Sequence, residues 1–253
     1  MDARFQEDFQ DKWTRYFPGV ELPVAYFYTD EVSAKDAKDS RDEEHCVVAC
    51  FERVRRGHTF VYGAGSPGCK GWARYTGFSQ GSGPNFEYFL SYGIPGQLEG
   101  ERYKKSPDLV RCYTENNPPF QAPGRFIVFK RWDKLAAEDR PLAVIFFASA
   151  DVLSGLFTLA NYDHADPHGV IAPMGSGCSS IVAYPLVEAR SEQPRCVLGM
   201  FDVSARLQLA PGELTFTVPM ARLEQMVANM DESFLITESW GKVRTRVRKA
   251  ARA

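Results

Sequence analysis

The chain has 253 residues, with 30 basic and 32 acidic side chains and a hydrophobic fraction of 44%. This length can bury a sizeable core, and the balanced charge gives no electrostatic reason to expect binding to nucleic acid or to an anionic membrane. The longest apolar runs have the length of strands and are too short to span a membrane, and the acidic N-terminal residues do not form a secretory signal. We therefore expect a cytoplasmic protein.

The first half of the chain is predicted to alternate helices and strands. Aromatic side chains at four-residue spacing predict an amphipathic helix at the start. The predicted elements are a helix over residues 3–16, a strand over 23–28, a helix over 45–57 and a strand over 58–62. The glycine-rich turn GAGSPG then leads to Cys69, which opens a short helix.

The second half follows a proline-rich connector, residues 116–124. Its predicted strands are 125–130, 141–148, 169–172, 195–203 and 214–218, and its predicted helices are 132–139, 150–162, 179–189, 220–230 and 239–252. Strands alternating with helices predict an α/β (α+β) fold, with a mixed sheet and helices packed on it.

The two halves show the same order of elements, which predicts an internal repeat. Each has a strand, a helix, a second strand, a glycine-rich turn and a cysteine that opens a helix. The repeats would cover about residues 18–115 and 125–253, as two related βαβ-type halves of one compact domain, 1–253. Ligands of open α/β sheets bind beyond the carboxyl ends of strands, so the two turns are expected to meet at one site.

Six cysteines lie at positions 46, 50, 69, 112, 178 and 196. Without an export signal, thiols used for metal binding, catalysis or packing are more plausible than a disulfide framework. Cys46, Cys69 and Cys178 all come at the predicted start of a helix, where the thiolate form is favoured.

The motifs around these cysteines have a family likeness that covers nearly the whole chain. They are RVRRG after Cys46, GCKG at Cys69, GERYKKSP, VFK, LSGLFTLANYD, GSGCSSI at Cys178, FDVSAR and MDESFL. With these motifs the chain resembles the bacterial and archaeal family called domain of unknown function 169. The family has no settled activity, so the resemblance supports the positions Cys46, Cys69 and Cys178 but implies no reaction. The cysteines outside the motifs, Cys50, Cys112 and Cys196, are expected to be packing residues.

An iron–sulfur cluster of the four-iron type is the first functional hypothesis. Cys46, Cys69 and Cys178 would supply thiolate ligands, and the turn with Gly175 and Gly177 would supply N–H donors. Three cysteines leave one iron open for redox or sulfur chemistry. Zinc is the rival metal, with His45 or His58 as a fourth ligand.

Two further hypotheses need no metal. In the first, Cys178 is a nucleophile in a nest of N–H groups, with His164 or His168 as base. In the second, the glycine turns around Cys69 and Cys178 form a pocket for a small molecule.

Arginines near these turns are candidates for binding an anionic ligand. Arg102 and Arg206 could hold a phosphate or a carboxylate. The alternative for Arg206 is an internal ion pair with Asp202, one helical turn before it. The turns lack the Walker A ending and the dinucleotide fingerprint, which disfavours nucleotide binding.

Overall fold

One mixed sheet forms the centre of the molecule, in a computed structural model that describes residues 1–39 and 46–251. Seven strands of the described chain form the sheet, in the order β2-β3-β1-β4-β7-β6-β5. The strands are β1 Val24–Thr29, β2 Phe60–Gly63, β3 Phe126–Arg131, β4 Ala143–Ala148, β5 Val170–Ile171, β6 Cys196–Gly199 and β7 Leu214–Pro219. Neighbours pair antiparallel except β5 and β6, which are parallel. The predicted α/β fold with a mixed sheet is confirmed.

Helices cover both faces of the sheet. They are α1 Ala3–Tyr16, α2 Ala34–Asp39, α3 Val47–Arg55, α4 Lys70–Tyr75, α5 Phe86–Phe89, α6 Pro107–Asn116, α7 Ala150–Leu159, α8 Tyr184–Glu188, α9 Met220–Asn229 and α10 Glu238–Ala250. A π-helical turn, Ser179–Ala183, leads directly into α8. The predicted helix over 132–139 is wrong: only a 3₁₀ turn, Trp132–Lys134, forms there. Asp139 accepts hydrogen bonds from Lys130 Nζ at 3.0 Å and Ala136 N at 2.8 Å, which close a turn instead.

The first face of the sheet is covered by α1, α7, α9 and α10. The four-residue spacing of aromatics in α1 places Phe9 and Trp13 side by side against this face, and both are 1% exposed. Their rings contact Trp132 and Phe146, with centroids 4.6 Å apart for Phe9–Trp132 and 4.8 Å apart for Trp13–Phe146. This aromatic layer holds the N-terminal helix on the sheet.

The second face is covered by α3, α4 and the helix that follows Cys178. The core on this second face is separate from the core on the first face. Strand β4 is buried on both sides, because its alternate residues point to opposite faces: Phe146 lies in the first core and Ile145 in the second core. Phe51 of α3 and Trp72 of α4 pack on Phe129, with ring centroids 5.2 and 5.6 Å apart. The helices of this second layer carry the three motif cysteines at their starts.

The sheet places β1 and β4 side by side at its centre, one from each proposed half. Strands β3 and β2 continue outward from β1, while β7, β6 and β5 continue outward from β4. The internal repeat stays a prediction. In the described part of the chain, no helix has both the length and the apolar character needed to cross a membrane.

Candidate functional site

Three cysteines lie at the starts of three helices on the second face of the sheet. Cys46 precedes α3, Cys69 precedes α4, and Cys178 is in the first turn of the helix that passes through Ser179–Ala183. The first N–H groups of a helix have no partner within it, so they are available to an acceptor. At Cys69 the backbone N–H of Trp72 donates to the sulfur, with 3.4 Å between N and Sγ.

Cys46 is half-buried at the start of α3. Burial raises the pKa of its thiol, and the nearby backbone N–H groups of Val48 and Ala49 lower it. Negative charge on Cys69 and on Asp202 raises the pKa further. The thiol makes no capping hydrogen bond to α3, but it lies within electrostatic range of a second cysteine and a carboxylate.

Cys178 is buried at the other side of this group. Burial raises the pKa of its thiol well above the ordinary value, and Cys69, Cys46 and Asp202 each raise it further. Tyr62, at the end of β2, has a pKa raised by burial and then by Cys69 and Cys178. Since such effects fall with distance, the structure brings the three predicted cysteines into one neighbourhood.

The packing of the helices agrees with this neighbourhood. Helix α4 contacts the π-helical turn after Cys178. A methyl group on Gly68, just before Cys69, would lie 3.7 Å from Val47 Cγ2 at the start of α3. Within residues 1–39 and 46–251, however, no three His, Cys, Asp or Glu side chains are arranged so that they could hold a metal ion as they stand.

The glycines before Cys178 are required by close packing. A Cβ on Gly175 would lie 2.4 Å from Ser179 Oγ, and a Cβ on Gly177 would lie 2.7 Å from Met200 Sδ. The N–H of Gly177 donates to Asp202 Oδ2 at 3.1 Å. Their predicted role in holding a cofactor stays a prediction.

Asp202 also belongs to this site, although no local sequence pattern predicts it there. Its Oδ1 accepts from the N–H of Ser204 at 3.1 Å while Oδ2 accepts from Gly177, which joins its loop to the turn before Cys178. The alternative for Arg206, an ion pair with Asp202, does not form; Arg206 Nη1 donates instead to Glu213 O at 2.6 Å. The FDVSAR motif was the sequence feature that could have indicated this loop. The four-residue spacing within the motif pointed to Arg206 as the partner of Asp202 and not to the distant Gly177.

The segment with Arg102 lies next to this loop. The N–H of Ser204 also donates to Tyr103 Oη at 3.1 Å, so the GERYKKSP segment contacts the loop of Asp202. Arg102 is exposed and has a positive φ of 57°. Its proposed role in anion binding, like that of Arg206, stays a prediction.

Three of the four histidines are in the described residues, and none of these three is seen to contact the motif cysteines. His164 Nε2 is 4.0 Å from Asp163 Oδ1, beside α9 on the first face, whereas Cys178 packs in the second core. His168 lies in an exposed part of the same loop. His58 is exposed, and His45 lies outside the described residues. The arrangement does not support a Cys178–His164 catalytic pair.

The remaining cysteines differ in burial. Cys50 and Cys196 are buried, as expected for packing residues, but Cys112 is exposed on α6. A surface cavity of about 370 Å³ opens at the first glycine turn, lined by Ala64, Gly65, Gly77 and Phe78 and by residues of the segment 121–126. Neither Cys69 nor Cys178 lines it.

Comparison with protein families identifies the chain. The model of the DUF169 family, described as "Uncharacterised ArCR", matches residues 20–229. The chain belongs to this family. The DUF169 match includes all three motif cysteines, both glycine turns and Asp202. No match was found among the curated proteins or among the solved structures.

Proposed function

We propose that this DUF169 protein binds an iron–sulfur cluster, of the four-iron type, through Cys46, Cys69 and Cys178. The supporting observation is the convergence of three thiols from three helix starts: Cys69 raises the pKa of both other thiols, and Cys46 raises that of Cys178. Thiolates are the usual ligands of such clusters. A reducing cytoplasm, where thiols persist, is part of the proposal.

The chemistry of the donor set fits a cluster. Backbone N–H groups of Val48, Ala49 and Trp72 already approach two of the sulfurs. N–H donors and the positive ends of helices stabilise negative charge, and hydrogen bonds to sulfur tune a cluster's potential. The thiols of Cys46 and Cys178 have raised pKa values, so binding must displace their protons.

The three sulfurs also need to move to become ligands. Cys69 is exposed on a turn in which Gly68 has a φ of 150°, a conformation that suits glycine and gives this segment freedom to adjust. When bound, a cluster held by three cysteines supplies one iron without a protein ligand, open to redox or sulfur chemistry. The protein would position that iron beside Asp202 and Tyr62.

Metal content after purification without oxygen tests the proposal. We expect a coloured protein with about four irons and about four sulfides per chain, directly or after reconstitution. Each of Cys46→Ser, Cys69→Ser and Cys178→Ser should lower the iron content several-fold. Cys112→Ser is the matched control, because Cys112 is equally free of disulfides but lies on α6 outside the site. Colourless, iron-free wild type, zinc at one equivalent, or a fully loaded Cys46→Ser variant would each reject the cluster.

Alkylation of the exposed thiols gives a second prediction within one molecule. Cys69 and Cys112 are both exposed, so both should react with iodoacetamide in the cluster-free protein, while Cys178 and Cys196 are protected by burial. After reconstitution, labelling of Cys69 should slow by about tenfold or more, since iron occupies its thiolate. Labelling of Cys112 should not change. Equal labelling of Cys69 before and after iron loading would contradict its role as a ligand.

The alternative is a metal-free protein that binds a small molecule at the glycine turns. The observation that favours it is the cavity of about 370 Å³ beside Gly65 and Gly77. Its volume is within the range of small-ligand sites. A reconstitution that leaves the wild type without iron would favour this alternative.

A further inference from the structure

Buried cations are rare in this protein, and one of them differs from the others. In the described chain the buried cationic side chains are Lys130, Arg222 and Arg74, which are 5%, 1% and 6% exposed. Lys130 and Arg222 both pair with aspartates. Arg74 forms no ion pair with any described residue; its guanidinium makes one hydrogen bond there, from Nη1 to Gln80 O at 3.0 Å.

A buried charge without a counter-charge is costly, so the position of Arg74 needs an explanation. Its Nε and Nη2 have no hydrogen-bond partner among the described residues. Neither of these two nitrogens is fully enclosed by the protein. These nitrogens therefore keep contact with space outside the protein. An anion that reached them would provide the charge that the described chain does not.

Two tyrosines offer hydroxyl groups on the side of α4 that packs against the π-helical turn leading into Tyr184. Tyr113 Oη and Tyr184 Oη are 3.2 Å apart, and both donate to Met174 O, at 3.1 and 2.8 Å. The two hydroxyl groups have two protons for these three contacts. One proton is enough to hydrogen-bond Met174 O, so the other hydroxyl can donate its proton to an acceptor on a bound ligand. Burial raises the pKa of Tyr113 and Arg74 lowers it, so the guanidinium lies within electrostatic range.

A second cation stands over the same tyrosine. Lys104 Nζ is 4.7 Å from the centre of the Tyr113 ring. Lys104 belongs to the GERYKKSP motif, whose function the cluster proposal leaves unexplained. Lys104 and Arg74 thus both act on Tyr113, whose hydroxyl contacts that of Tyr184.

This group adjoins the cysteines. Arg74 is on α4, which begins after Cys69, and Met174 and Tyr184 flank Cys178 in the chain. Tyr75 follows Arg74 on α4: burial raises its pKa, Arg74 lowers it, and Tyr184 and Cys178 raise it further. A ligand held at Arg74 would therefore lie on the side of α4 that faces the Cys178 segment.

We propose that Arg74, Lys104, Tyr113 and Tyr184 form a binding site for a small organic carboxylate next to the cysteines. The planar guanidinium presents parallel N–H groups that match a carboxylate, and the phenols and Lys104 add donors and charge. This goes beyond the cluster proposal, because the site consists of protein side chains alone. The carboxylate site should therefore also be present in protein without a cluster, where it can be tested separately from the cluster proposal.

Binding of a simple probe to iron-free protein tests the site. Benzoate offers one carboxylate and an aromatic ring for the tyrosine walls, and benzyl alcohol is its neutral counterpart. We expect saturable benzoate binding in ligand-observed NMR titrations, with benzyl alcohol weaker by about tenfold or more. Arg74→Met should weaken benzoate by a similar factor, and Lys104→Met by a smaller one. Arg248→Met, at an exposed position of α10, is the matched control and should bind as the wild type.

Thermal stability separates a ligand site from a structural role. If Arg74 exists to bind an anion, Arg74→Met removes an uncompensated buried charge, so the free protein should melt at the same temperature or higher. Arg222→Met, which breaks a formed ion pair, should melt several degrees lower. A loss in Arg74→Met as large as that in Arg222→Met would assign Arg74 a structural role and overturn the proposal. So would the absence of saturable benzoate binding to the wild type, or equal binding of benzoate by wild type and Lys104→Met.

Discussion

Arg222→Met is expected to lower the free energy of unfolding by about 3 kcal/mol, because the buried guanidinium makes several charge-assisted hydrogen bonds, those to the partly exposed carboxylate of Asp163 among them, and methionine makes none. Arg222 is 1% exposed. It donates to both carboxylate oxygens of Asp163, and also to Ala160 O at 3.1 Å and Gln225 Oε1 at 2.7 Å. These bonds join the C-terminal end of α7 to α9, and methionine fills the volume without replacing any of them.

Urea denaturation measures this effect as a lower midpoint with an unchanged slope. The matched control is Arg246→Met, which breaks an arginine–aspartate pair with Asp151 at the surface, where the arginine is 70% exposed. The control should change stability by less than about 1 kcal/mol. If the two variants lose equal stability, burial of the Arg222 pair is not what stabilises this region.

The pH dependence of stability checks the same pair. The hydrogen bond from Arg222 lowers the pKa of Asp163 to about 2 against the effect of burial, and Asn229 lowers it further. Because the folded pKa lies below the unfolded one, near 4, the stabilisation is fully present above about pH 4. It is lost as pH falls through about 2. Other aspartates also titrate in this pH range, so the two proteins have to be compared. Between about pH 4 and pH 2, Arg222→Met should lose less free energy of unfolding than the wild type.

Lys130→Met is the second substitution with a large expected effect, about 3–5 kcal/mol. Lys130 Nζ lies 3.0 Å from Asp36 Oδ2 and 3.0 Å from Asp139 Oδ2, and the Asp139 side chain is only 6% exposed. Without the lysine, two buried carboxylates lose their common counter-charge. Burial raises the pKa of Asp36, but the hydrogen bonds from Lys130 and Ser33 outweigh it, so the net pKa is lowered. In the variant this pKa should rise.

Chemical denaturation of two further variants isolates the charge effect. Lys242→Met breaks an exposed pair with Glu238 and should cost less than about 0.5 kcal/mol. Lys130→Met combined with Asp139→Asn removes one of the two negative charges, so it should recover part of the lost stability. A double variant no more stable than Lys130→Met would mean that lost packing, and not unpaired charge, explains the effect.

Local patterns in the sequence predicted many elements but not all of them. The helix over 3–16 has the observed bounds, because its aromatic spacing matches the helical period and its face meets the core. The charged stretch over residues 32–44 has no apolar period, which predicts a surface loop or a short exposed helix; α2, Ala34–Asp39, is such a helix, and residues 40–44 lie outside the described part of the chain. What the pattern does not predict is that Asp36 pairs with Lys130, 94 residues further along the chain. A partner so distant has no local signal.

The candidate site divides in the same way. The sequence by itself determined that three cysteines stand at helix starts, since glycine turns, apolar periods and family motifs are local features. Tertiary structure alone decided that those starts lie on one face of the sheet, within range of one another and of Asp202. It also decided that Arg74 is buried without a carboxylate, while Arg222 meets Asp163 across 59 residues. The physical reason is that local patterns specify which side chains are buried, whereas the packing of distant strands and helices decides which charges and thiols meet.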